Sequence, residues 1–443
     1  MRAKATALVF LSLFATFAYF NHSEGWNQGA RLAELHAIAL HGTLQIDRYH
    51  EVTGDKAVID GHYYSEKAPA IVVIALPAFV LTTWTQRLMG TDPDSSNAWR
   101  VSQWIATAAS VGLIAAAGGA AFFRLLLAPL GAALALLTTY AVFLGTITLP
   151  YATAIFAHAG TIGLLSIALW AALERPSSAR DYIAGVCAGL AVASEYPAII
   201  PAAALGAYLL YYDRARAWRY GIGLVPAALL ILGKNYLLTG SPFRVSYGSN
   251  PAFPRVTATN AFGFSLPELS RVRLLLWGEY RGLLFWSPVL LMALPGLIVW
   301  YRRQPGVAVM IVSVCALVLL QVASFYSWFG GNAVGPRYLA PAIPFAGLAA
   351  ALGIKRFPIL GAVLTMVSIT AMGMVTAIAI DPPEDVATPL QSFYFVRFGA
   401  DRFADNLGTL AGAPLQASLA LPPLLIAATA IGILSMRQQL DAE

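Results

Sequence analysis

Acidic and histidine side chains are concentrated in one polar segment, residues 21–69. This segment holds seven of the chain's 22 acidic residues and five of its six histidines. In a chain that is otherwise apolar, a polar loop rich in titratable groups is where chemistry at a membrane face would take place. We therefore predict that this segment is the reaction loop of a membrane enzyme. Its acids are Glu24, Glu34, Asp47, Glu51, Asp55, Asp60 and Glu66.

Asp47 is the first candidate for a catalytic base in this loop. It lies in the sequence IDRYHE, shortly after Gly42. A carboxylate there can remove a proton from an acceptor if its pKa and position suit that proton. An ion pair with Arg48 or Arg31 would instead give Asp47 a role in shaping the loop, and both interpretations have equal weight. Spacing alone does not rank its rivals, which are Glu24, Asp55 and Asp60.

The sequence DGHYYSEKAP, residues 60–69, forms a second candidate group. Lys67 could hold a phosphate as a point charge, and Glu66 could orient an acceptor or bind a cation. Anchoring at the membrane interface, with the tyrosines in the aromatic belt, is the alternative. We favour function because both charges stand beside two tyrosines and a proline. Asp60 and Glu66 therefore join Asp47 as predicted catalytic residues, with Tyr64 as a pocket residue.

Two ionisable residues, His158 and Glu195, lie inside or at the ends of apolar segments. Ionisable groups at membrane depth are costly, so each is expected to face a cavity or a partner. A structural hydrogen bond explains them equally well. Together with Arg31 and Tyr64, they are our predicted pocket residues.

Arginines from later in the chain are predicted to bind phosphate together with Lys67. Arg337 follows a glycine-rich sequence, WFGGNAVGP, that allows close backbone approach and a fixed turn. A guanidinium can grip a phosphate with two hydrogen bonds. Arg281 is the second candidate, and contact with water or lipid headgroups is the alternative for either one. Taken together, these cations favour an anionic ligand.

Composition identifies a membrane protein. Hydrophobic residues make up 58% of the 443 residues and charged residues 11%, whereas a soluble domain has about 25% charged residues. The net charge of +6 comes from small basic groups between apolar segments, which indicates topology and no nucleic-acid partner. Both cysteines, Cys187 and Cys315, lie in apolar runs, which argues against disulfides and thiolate metal sites. Clustered carboxylates could bind Mg²⁺ or Mn²⁺, but no spacing requires a metal or another cofactor.

The basic turns decide the predicted topology. If residues 68–84 lie along the membrane surface, every short basic turn faces the cytoplasm, as the positive-inside rule demands. We predict an all-α polytopic protein of about 12 transmembrane helices, with both termini inside and two interfacial helices, 31–40 and 68–84, in the first outer loop. Residues 1–443 form one domain, with large outer loops at 21–100 and 234–283. The predicted spans are 5–20, 101–122, 127–147, 157–173, 182–194, 197–212, 219–235, 284–301, 305–325, 338–354, 358–380 and 416–435.

The first hundred residues resemble the GT-C superfamily of membrane glycosyltransferases. RLAE at 31–34 is similar to the R-Y-A-E helix of the branch containing the lipid A aminoarabinose transferases and protein O-mannosyltransferases, and YSEKAP at 64–69 is similar to its Y-x-E-K-P-P segment. The rest of the chain shares only the pattern of spans. The resemblance implies a polyprenyl-phosphate-linked sugar donor, transfer on the outer membrane face and an acidic catalyst in the first loop.

One position departs from the family pattern. Gln28 stands three residues before the helix arginine, where the aminoarabinose transferases have their catalytic aspartate. The catalytic role therefore cannot be carried over to that position. Asp47, or failing that Glu24 or Asp60, would have to take it.

These observations predict a glycosyltransferase, for hexoses or pentoses, in the cytoplasmic (inner) membrane with its active site facing the periplasm. Asp47 would deprotonate a lipid, glycan or protein acceptor, while Lys67, Arg281 and Arg337 stabilise the departing lipid phosphate. A secondary transporter or a flippase for lipid-linked sugars is the alternative, since 12 spans with both ends inside are also common there. Transporters usually show repeated halves, and this sequence shows no repeat. A non-catalytic envelope assembly protein is the third hypothesis.

Overall fold

The computed structural model describes residues 1–22, 25–253 and 263–442. Within these ranges, seven helices are long and apolar enough to cross a membrane, and three shorter apolar helices accompany them. The predicted all-α, polytopic membrane architecture is confirmed, while the count of 12 spans stays a prediction. The seven are Ala70–Leu88, Ser96–Leu130, Arg214–Thr239, Pro305–Ser324, Arg337–Arg356, Pro358–Ile378 and Leu415–Ser435.

Helices make up most of the described chain. The helices up to the second outer loop are α1 (Arg2–Phe17), α2 (Trp26–His41), α3 (Ala70–Leu88), α4 (Ser96–Thr107), α5 (Leu113–Leu130), α6 (Ala132–Phe143), α7 (Thr148–Ala152), α8 (Ala157–Leu173), α9 (Ser178–Ser194), α10 (Ile199–Tyr212) and α11 (Arg214–Thr239). The later helices are α12 (Leu269–Trp277), α13 (Leu283–Trp286), α14 (Ala293–Arg303), α15 (Pro305–Ser324), α16 (Ile343–Arg356), α17 (Pro358–Ile378), α18 (Phe395–Gly399), α19 (Leu407–Leu410), α20 (Leu415–Ser435) and α21 (Arg437–Ala442).

The predicted first outer loop contains a β-hairpin between its two helices. Strands β1 (Lys56–Ile59) and β2 (His62–Ser65) pair in antiparallel register, with Lys56 opposite Ser65. The two turn residues, Asp60 and Gly61, both have positive φ, 51° and 83°. This is the conformation that an Asp-Gly pair favours in a two-residue hairpin turn. The hairpin brings the residue before β1 next to the residues after β2.

The two predicted interfacial helices are both present, with different bounds. Helix α2 covers RLAE and ends at Gly42, which has a left-handed φ of 66°. It begins at Trp26, five residues before the predicted start at residue 31. Gly25 precedes it and provides no side-chain cap, so no capping signal in the sequence marks this end. Helix α3 exposes apolar side chains such as Leu81 and Trp84. Its length and composition would also allow it to cross a membrane. Its location on the membrane surface therefore stays a prediction.

Helices α5, α8, α9 and α11 pack side by side through small residues. A side chain at Gly185 would collide with the backbone of Tyr220, and one at Gly118 with the backbone of Gly163. The break between the predicted spans 101–122 and 127–147 lies later in the chain than predicted. Helix α5 continues to Leu130 and ends at Gly131, where φ is 77°. The close backbone contacts at Gly118 and Gly185 hold α5 against α8 and α9 against α11.

Charged residues occupy opposite ends of this bundle. Basic residues in the second half of α5 and in the first turns of α9 and α11 meet at one end, where Arg124 and Arg180 contact Glu174, and Arg216 contacts Asp181. The predicted first outer loop contacts the other end, where α8 begins and α9 ends. Because α8 has 17 residues, its ends are roughly 25 Å apart. The polar residues at the second end form the candidate site.

Candidate active site

Lys67 is the centre of a buried charge network that the hairpin assembles. Asp55 immediately precedes β1 and Lys67 follows β2, so the strand pairing places them side by side. The Lys67 Nζ atom lies 2.7 Å from Asp55 Oδ2 and 2.9 Å from Glu66 Oε1. Its ammonium is also 5.5 Å from the centre of the Tyr247 ring, in a cation–π contact. Lys67 is only 6% exposed, so its charge is compensated inside the protein.

Burial and charge act in opposite directions on the acid and base of this network. Burial would lower the pKa of Lys67, but the carboxylates of Asp55 and Glu66 outweigh it and hold that pKa above its ordinary value. Burial raises the pKa of Glu66, although Lys67 opposes the shift. Lys67 is therefore protonated at neutral pH.

The predicted second outer loop, residues 234–283, is joined to this network. Asn250 is fully buried, and its Nδ2 donates a 2.6 Å hydrogen bond to Glu66 Oε2. At the end of α11, Lys234 Nζ lies 2.6 Å from Glu34 Oε1 on α2 and donates to the Lys67 carbonyl oxygen at 2.8 Å. Charges that are about 200 residues apart in sequence therefore meet at one end of the bundle.

A second group of buried charges, which we call the His158 cluster, consists of Arg31, His158, Glu195 and Arg337. His158 Nδ1 lies 2.8 Å from Glu195 Oε1, but the two groups are not aligned for a hydrogen bond. His158 is also within electrostatic range of Arg31 and Arg337. Aromatic rings surround these groups. The His158 ring centre is 5.3 Å from that of Tyr151, 5.5 Å from Phe156 and 6.1 Å from Tyr338.

The two arginines of the His158 cluster have no carboxylate within 4 Å in the described part of the chain. Arg31 is 3% exposed, and its Nη1 donates to Asn27 while its Nε has no partner. The Arg337 guanidinium lies over the rings of Phe156 and Tyr338, at 5.3 and 5.1 Å, and its Nε has no partner. Buried cations normally pair with an anion. These two arginines are therefore candidates for binding one.

Arg281 has a different environment from the one predicted for a phosphate ligand. It is fully buried, and its guanidinium donates to the carbonyl oxygens of Phe329, Gly331 and Tyr280 at 2.7, 2.8 and 2.9 Å. These bonds hold the turn that leads to Arg337. A phosphate could be bound by Arg281 only if some of them broke. Its role as a ligand stays a prediction, and the geometry favours a structural role.

Asp47 and Asp60 lie on the outer side of the hairpin, away from both groups of buried charges. Asp47 accepts hydrogen bonds from His62 Nδ1 at 2.7 Å and from the Tyr63 backbone at 2.6 Å. Slight burial would raise the pKa of Asp47, but these two bonds lower it. Asp60 is exposed in the turn. No described contact joins either residue to Lys67 or Arg337, so their catalytic roles stay predictions without geometric support.

The remaining predicted residues divide between the site and its surroundings. The Tyr64 hydroxyl accepts a hydrogen bond from Gln45 at 3.4 Å and contacts neither charge group in the described chain. Glu24 lies outside the described residues. No group of three or more His, Cys, Asp or Glu side chains in the described ranges could hold a metal ion. Asp55, considered only as a rival of Asp47, belongs to the site, as do Glu34, Lys234 and Asn250, which were not predicted as site residues.

Solved structures match this chain along its length, whereas no protein-family model and no curated protein sequence does. ArnT from Cupriavidus metallidurans, bound to undecaprenyl phosphate, shares 18% identity at a TM-score of 0.52 over 100% of this chain and 72% of ArnT. Its apo state gives 16% and 0.52 over 99% and 74%. The archaeal oligosaccharyltransferase AglB from Archaeoglobus fulgidus, in complex with an inhibitory peptide and a dolichol-phosphate, gives 12% and 0.52 over 87% and 56%.

At these identities the likeness establishes the fold. It extends the resemblance of the first hundred residues to the whole chain, including the segments that shared only a pattern of spans. The chain therefore has the fold of the GT-C superfamily of membrane glycosyltransferases.

Proposed function

We propose that this protein is a membrane glycosyltransferase, which moves one sugar from a polyprenyl-phosphate carrier to an acceptor hydroxyl. One observation carries the proposal: the buried guanidiniums of Arg31 and Arg337 have no carboxylate within 4 Å in the described chain and are within electrostatic range of Asp55, which pairs with Lys67. Structures of proteins with the same fold have been solved with undecaprenyl phosphate or dolichol-phosphate bound. A carrier phosphate would supply the anion that the two arginines lack.

Asp55 is the base that the geometry favours. Its Oδ2 lies 2.7 Å from the Lys67 ammonium, and Oδ1 can accept the proton of the acceptor hydroxyl. As the acceptor oxygen bonds to the anomeric carbon of the sugar, the bond from that carbon to the phosphate oxygen breaks. The electron pair leaves with the phosphate, and the proton is transferred to Asp55.

Lys67, Arg31 and Arg337 stabilise the departing phosphate. The carrier gains a negative charge when its bond to the sugar breaks, so cations that are already in place lower the barrier. A phosphate that draws Lys67 towards itself also weakens the Asp55–Lys67 pair. The Asp55 carboxylate is then freed to accept the proton of the acceptor hydroxyl in the same step.

The transfer is proposed to take place on the outer face of the cytoplasmic membrane. The buried charges lie at the end of the bundle opposite to Arg124, Arg180 and Arg216. The positive-inside rule assigns such basic turns to the cytoplasm. In a cell with two membranes, the active site would then face the periplasm, where a lipid, glycan or protein acceptor meets the carrier in the surrounding membrane lipids.

Purified protein incubated with undecaprenyl phosphate linked to a radiolabelled sugar tests this proposal. An enzyme releases undecaprenyl phosphate and forms a labelled acceptor, and Arg337→Gln reduces both products. A transporter or flippase would instead move the label across proteoliposomes without cleaving the sugar–phosphate bond. Such movement, with no cleavage in the presence of envelope lipids and glycans as acceptors, would overturn the proposal.

A further inference from the structure

Glu34 does not pair with the arginine that precedes it on the same helix. On α2, Arg31 and Glu34 are three residues apart, a spacing at which opposite charges on one helix reach each other. The Glu34 carboxylate pairs instead with Lys234, which lies 200 residues later near the end of α11. Arg31 turns towards the preceding turn of α2, where its Nη1 donates to Asn27. The fold has therefore replaced the ion pair that helical spacing favours.

Charges at comparable spacing do pair elsewhere in this chain. An Arg271 guanidinium nitrogen lies 2.5 Å from Glu268 Oε1, three residues earlier. Arg437 Nε lies 3.3 Å from Asp441 Oδ2, four residues later. No second cation lies within 4 Å of either carboxylate in the described chain. On α2, Lys234 is such a second cation, and it explains why the local pair is absent.

Lys234 and Glu34 satisfy each other completely. The Lys234 Nζ atom lies 2.6 Å from Glu34 Oε1 and 2.9 Å from Oε2, and it donates to the Lys67 carbonyl oxygen at 2.8 Å. An ammonium has three N–H donors, so these bonds use all of them. Glu34 is 3% exposed and Lys234 is 9% exposed, so water hardly competes with the pair. Lys234 therefore neutralises Glu34 and has no donor left for a ligand.

The Glu34 charge would act on Arg31 if Lys234 were neutral. Glu34 would then be a buried carboxylate without a counter-charge, which is strongly unfavourable. Arg31 lies one turn earlier on the same helix, and its guanidinium is within electrostatic range of Glu34. A guanidinium paired with a carboxylate has its charge compensated and attracts a phosphate less. The charge on Lys234 is thus what leaves Arg31 without a counter-charge.

We infer that Lys234 is a positioning residue for carrier binding: it holds Glu34 and thereby keeps Arg31 unpaired and available to the carrier phosphate. This inference rests on the proposed function, in which Arg31 binds that phosphate. Lys234 acts through Glu34 and Arg31 and does not contact the carrier. Glu34 acts as a competitor of the phosphate, and Lys234 removes that competitor.

Lys234→Gln tests the inference in the purified full-length protein. Glutamine keeps a hydrogen-bond donor near Glu34 but removes the positive charge, so Glu34 becomes free to pair with Arg31. The affinity for bare undecaprenyl phosphate should fall by roughly 10–100-fold, the equivalent of one charge-assisted contact. Lys56→Gln is the matched control, because it removes a lysine charge from β1 of the same loop that donates to the His50 carbonyl oxygen. It should leave the affinity within about threefold of the wild-type value.

Removing the competing carboxylate distinguishes positioning from structural damage. In Lys234→Gln/Glu34→Gln no carboxylate competes for Arg31, so the affinity should return to within about threefold of the wild type. Arg31→Gln should weaken binding in the wild type but by less than about twofold in the Lys234→Gln background, because Arg31 is already paired there. A protein that has only lost packing would recover no affinity from the second substitution.

Two variants keep the test decisive if Lys234→Gln does not fold. The double variant contains a neutral pair in place of two buried charges. Glu34→Gln alone removes a negative charge near the phosphate, so it should tighten carrier binding. Binding that is weaker by about tenfold or more in either variant would overturn the inference, because Glu34 would then support the site rather than compete for Arg31.

The outcomes also separate this inference from the function on which it rests. If the wild-type protein does not bind undecaprenyl phosphate, the proposed function fails and the inference fails with it. If the wild type binds and Lys234→Gln binds equally well, only the inference is wrong. If Lys234→Gln binds weakly and the double variant does not recover, Lys234 acts through the Lys67 carbonyl or the fold, and the inference is again wrong.

Discussion

The two ends of the helical bundle both bury charged residues, but they satisfy them differently. At the end with the basic turns, Asp181 is fully buried, and its two carboxylate oxygens accept from Arg216 Nε at 2.8 Å and Arg219 Nε at 3.0 Å. Arg216 also donates to the Ala172 carbonyl oxygen at 2.7 Å. At the opposite end, Arg31 and Arg337 have no carboxylate within 4 Å in the described chain.

This difference distinguishes a structural charge network from a binding site. Asp181 and its two arginines hold α9 and α11 together, and all three are paired within the protein. A guanidinium that is buried without a counter-charge raises the free energy of the folded protein, so it persists where a ligand supplies the missing charge. The same residue type therefore has a different role at each end, and substitutions should separate the two.

The largest effect is expected for Asp55→Asn. The amide keeps the size of the side chain but cannot accept the acceptor's proton, so turnover should fall by a factor of about 10²–10⁴. Binding of undecaprenyl phosphate should persist because Arg31 and Arg337 are unchanged. Turnover with a radiolabelled donor and affinity for the bare carrier are the two measurements.

Asp47→Asn provides the contrasting variant for this prediction. Its carboxylate is exposed and accepts from His62 and Tyr63, away from the buried charges. If Asp55 is the base, Asp47→Asn should retain most of the wild-type turnover. Loss of turnover in Asp47→Asn with retention in Asp55→Asn would reverse the assignment and restore Asp47 as the base.

Asp181→Asn should damage stability rather than chemistry. Removing one partner of a buried ion pair leaves uncompensated charges and typically costs about 3–5 kcal/mol. The unfolding temperature in detergent should therefore drop markedly, while the folded fraction keeps its turnover per molecule. A variant that unfolds like the wild type but has lost turnover would show that this end of the bundle is also functional.

Arg337→Gln should have the opposite profile. It removes a charge-assisted contact to the carrier phosphate, worth about 1.5–3 kcal/mol, so donor affinity should fall by roughly 10–100-fold. Stability should be unchanged or higher, because the cation it removes has no carboxylate partner within 4 Å in the described ranges. Donor titrations and thermal unfolding measure the two effects.

Arg281→Gln is the matched control for Arg337→Gln. Its guanidinium donates to three carbonyl oxygens, and their loss should lower the unfolding temperature. If Arg281→Gln instead weakens donor binding without destabilising the protein, Arg281 is a phosphate ligand, as its sequence position suggested.

Much of the fold was predictable from local sequence. Apolar runs and basic turns predicted a polytopic helical protein, and RLAE predicted the helix that carries Arg31 and Glu34. The strands on either side of Asp60-Gly61 were not predicted, although an Asp-Gly pair between short β-prone runs is a strong hairpin signal.

The missed hairpin explains why Asp47 was preferred to Asp55. Asp55 is next to Lys67 only because β1 and β2 pair, and chain spacing contains no such information without the strands. Arg281 shows a second limit. Sequence alone does not distinguish an arginine that donates to carbonyl oxygens from one that is free to bind a phosphate. For Arg281, the carbonyl oxygens belong to backbone groups about 50 residues away.

His36 can be compared with His158, since it is also buried and its two ring nitrogens have no hydrogen bond. Its ring stacks on Trp99 at 3.7 Å and meets Phe79 edge-on at 4.8 Å, so packing rather than a ligand explains it. Burial lowers the pKa of His36 to about 4, although nearby Asp94 opposes the shift. We therefore expect a purely structural histidine here.

A pH titration of stability tests this interpretation. Because the pKa of His36 is about 4 when folded and 6.5 in its ordinary state, the stability from its neutral form is present above pH 6.5 and is lost as the pH falls towards 4. The slope contributed by one such group is at most about 1.4 kcal/mol per pH unit. His36→Phe keeps the ring stack and cannot titrate, so chemical unfolding from pH 7 to 4 should show a shallower decline than the wild type. His22, whose pKa burial also lowers to about 4, would maintain part of the decline in both proteins. If both proteins lose stability equally steeply with falling pH and His36→Phe also loses donor binding, this histidine contacts a ligand. Buried ring nitrogens without a hydrogen bond would then indicate a binding site even inside an aromatic stack.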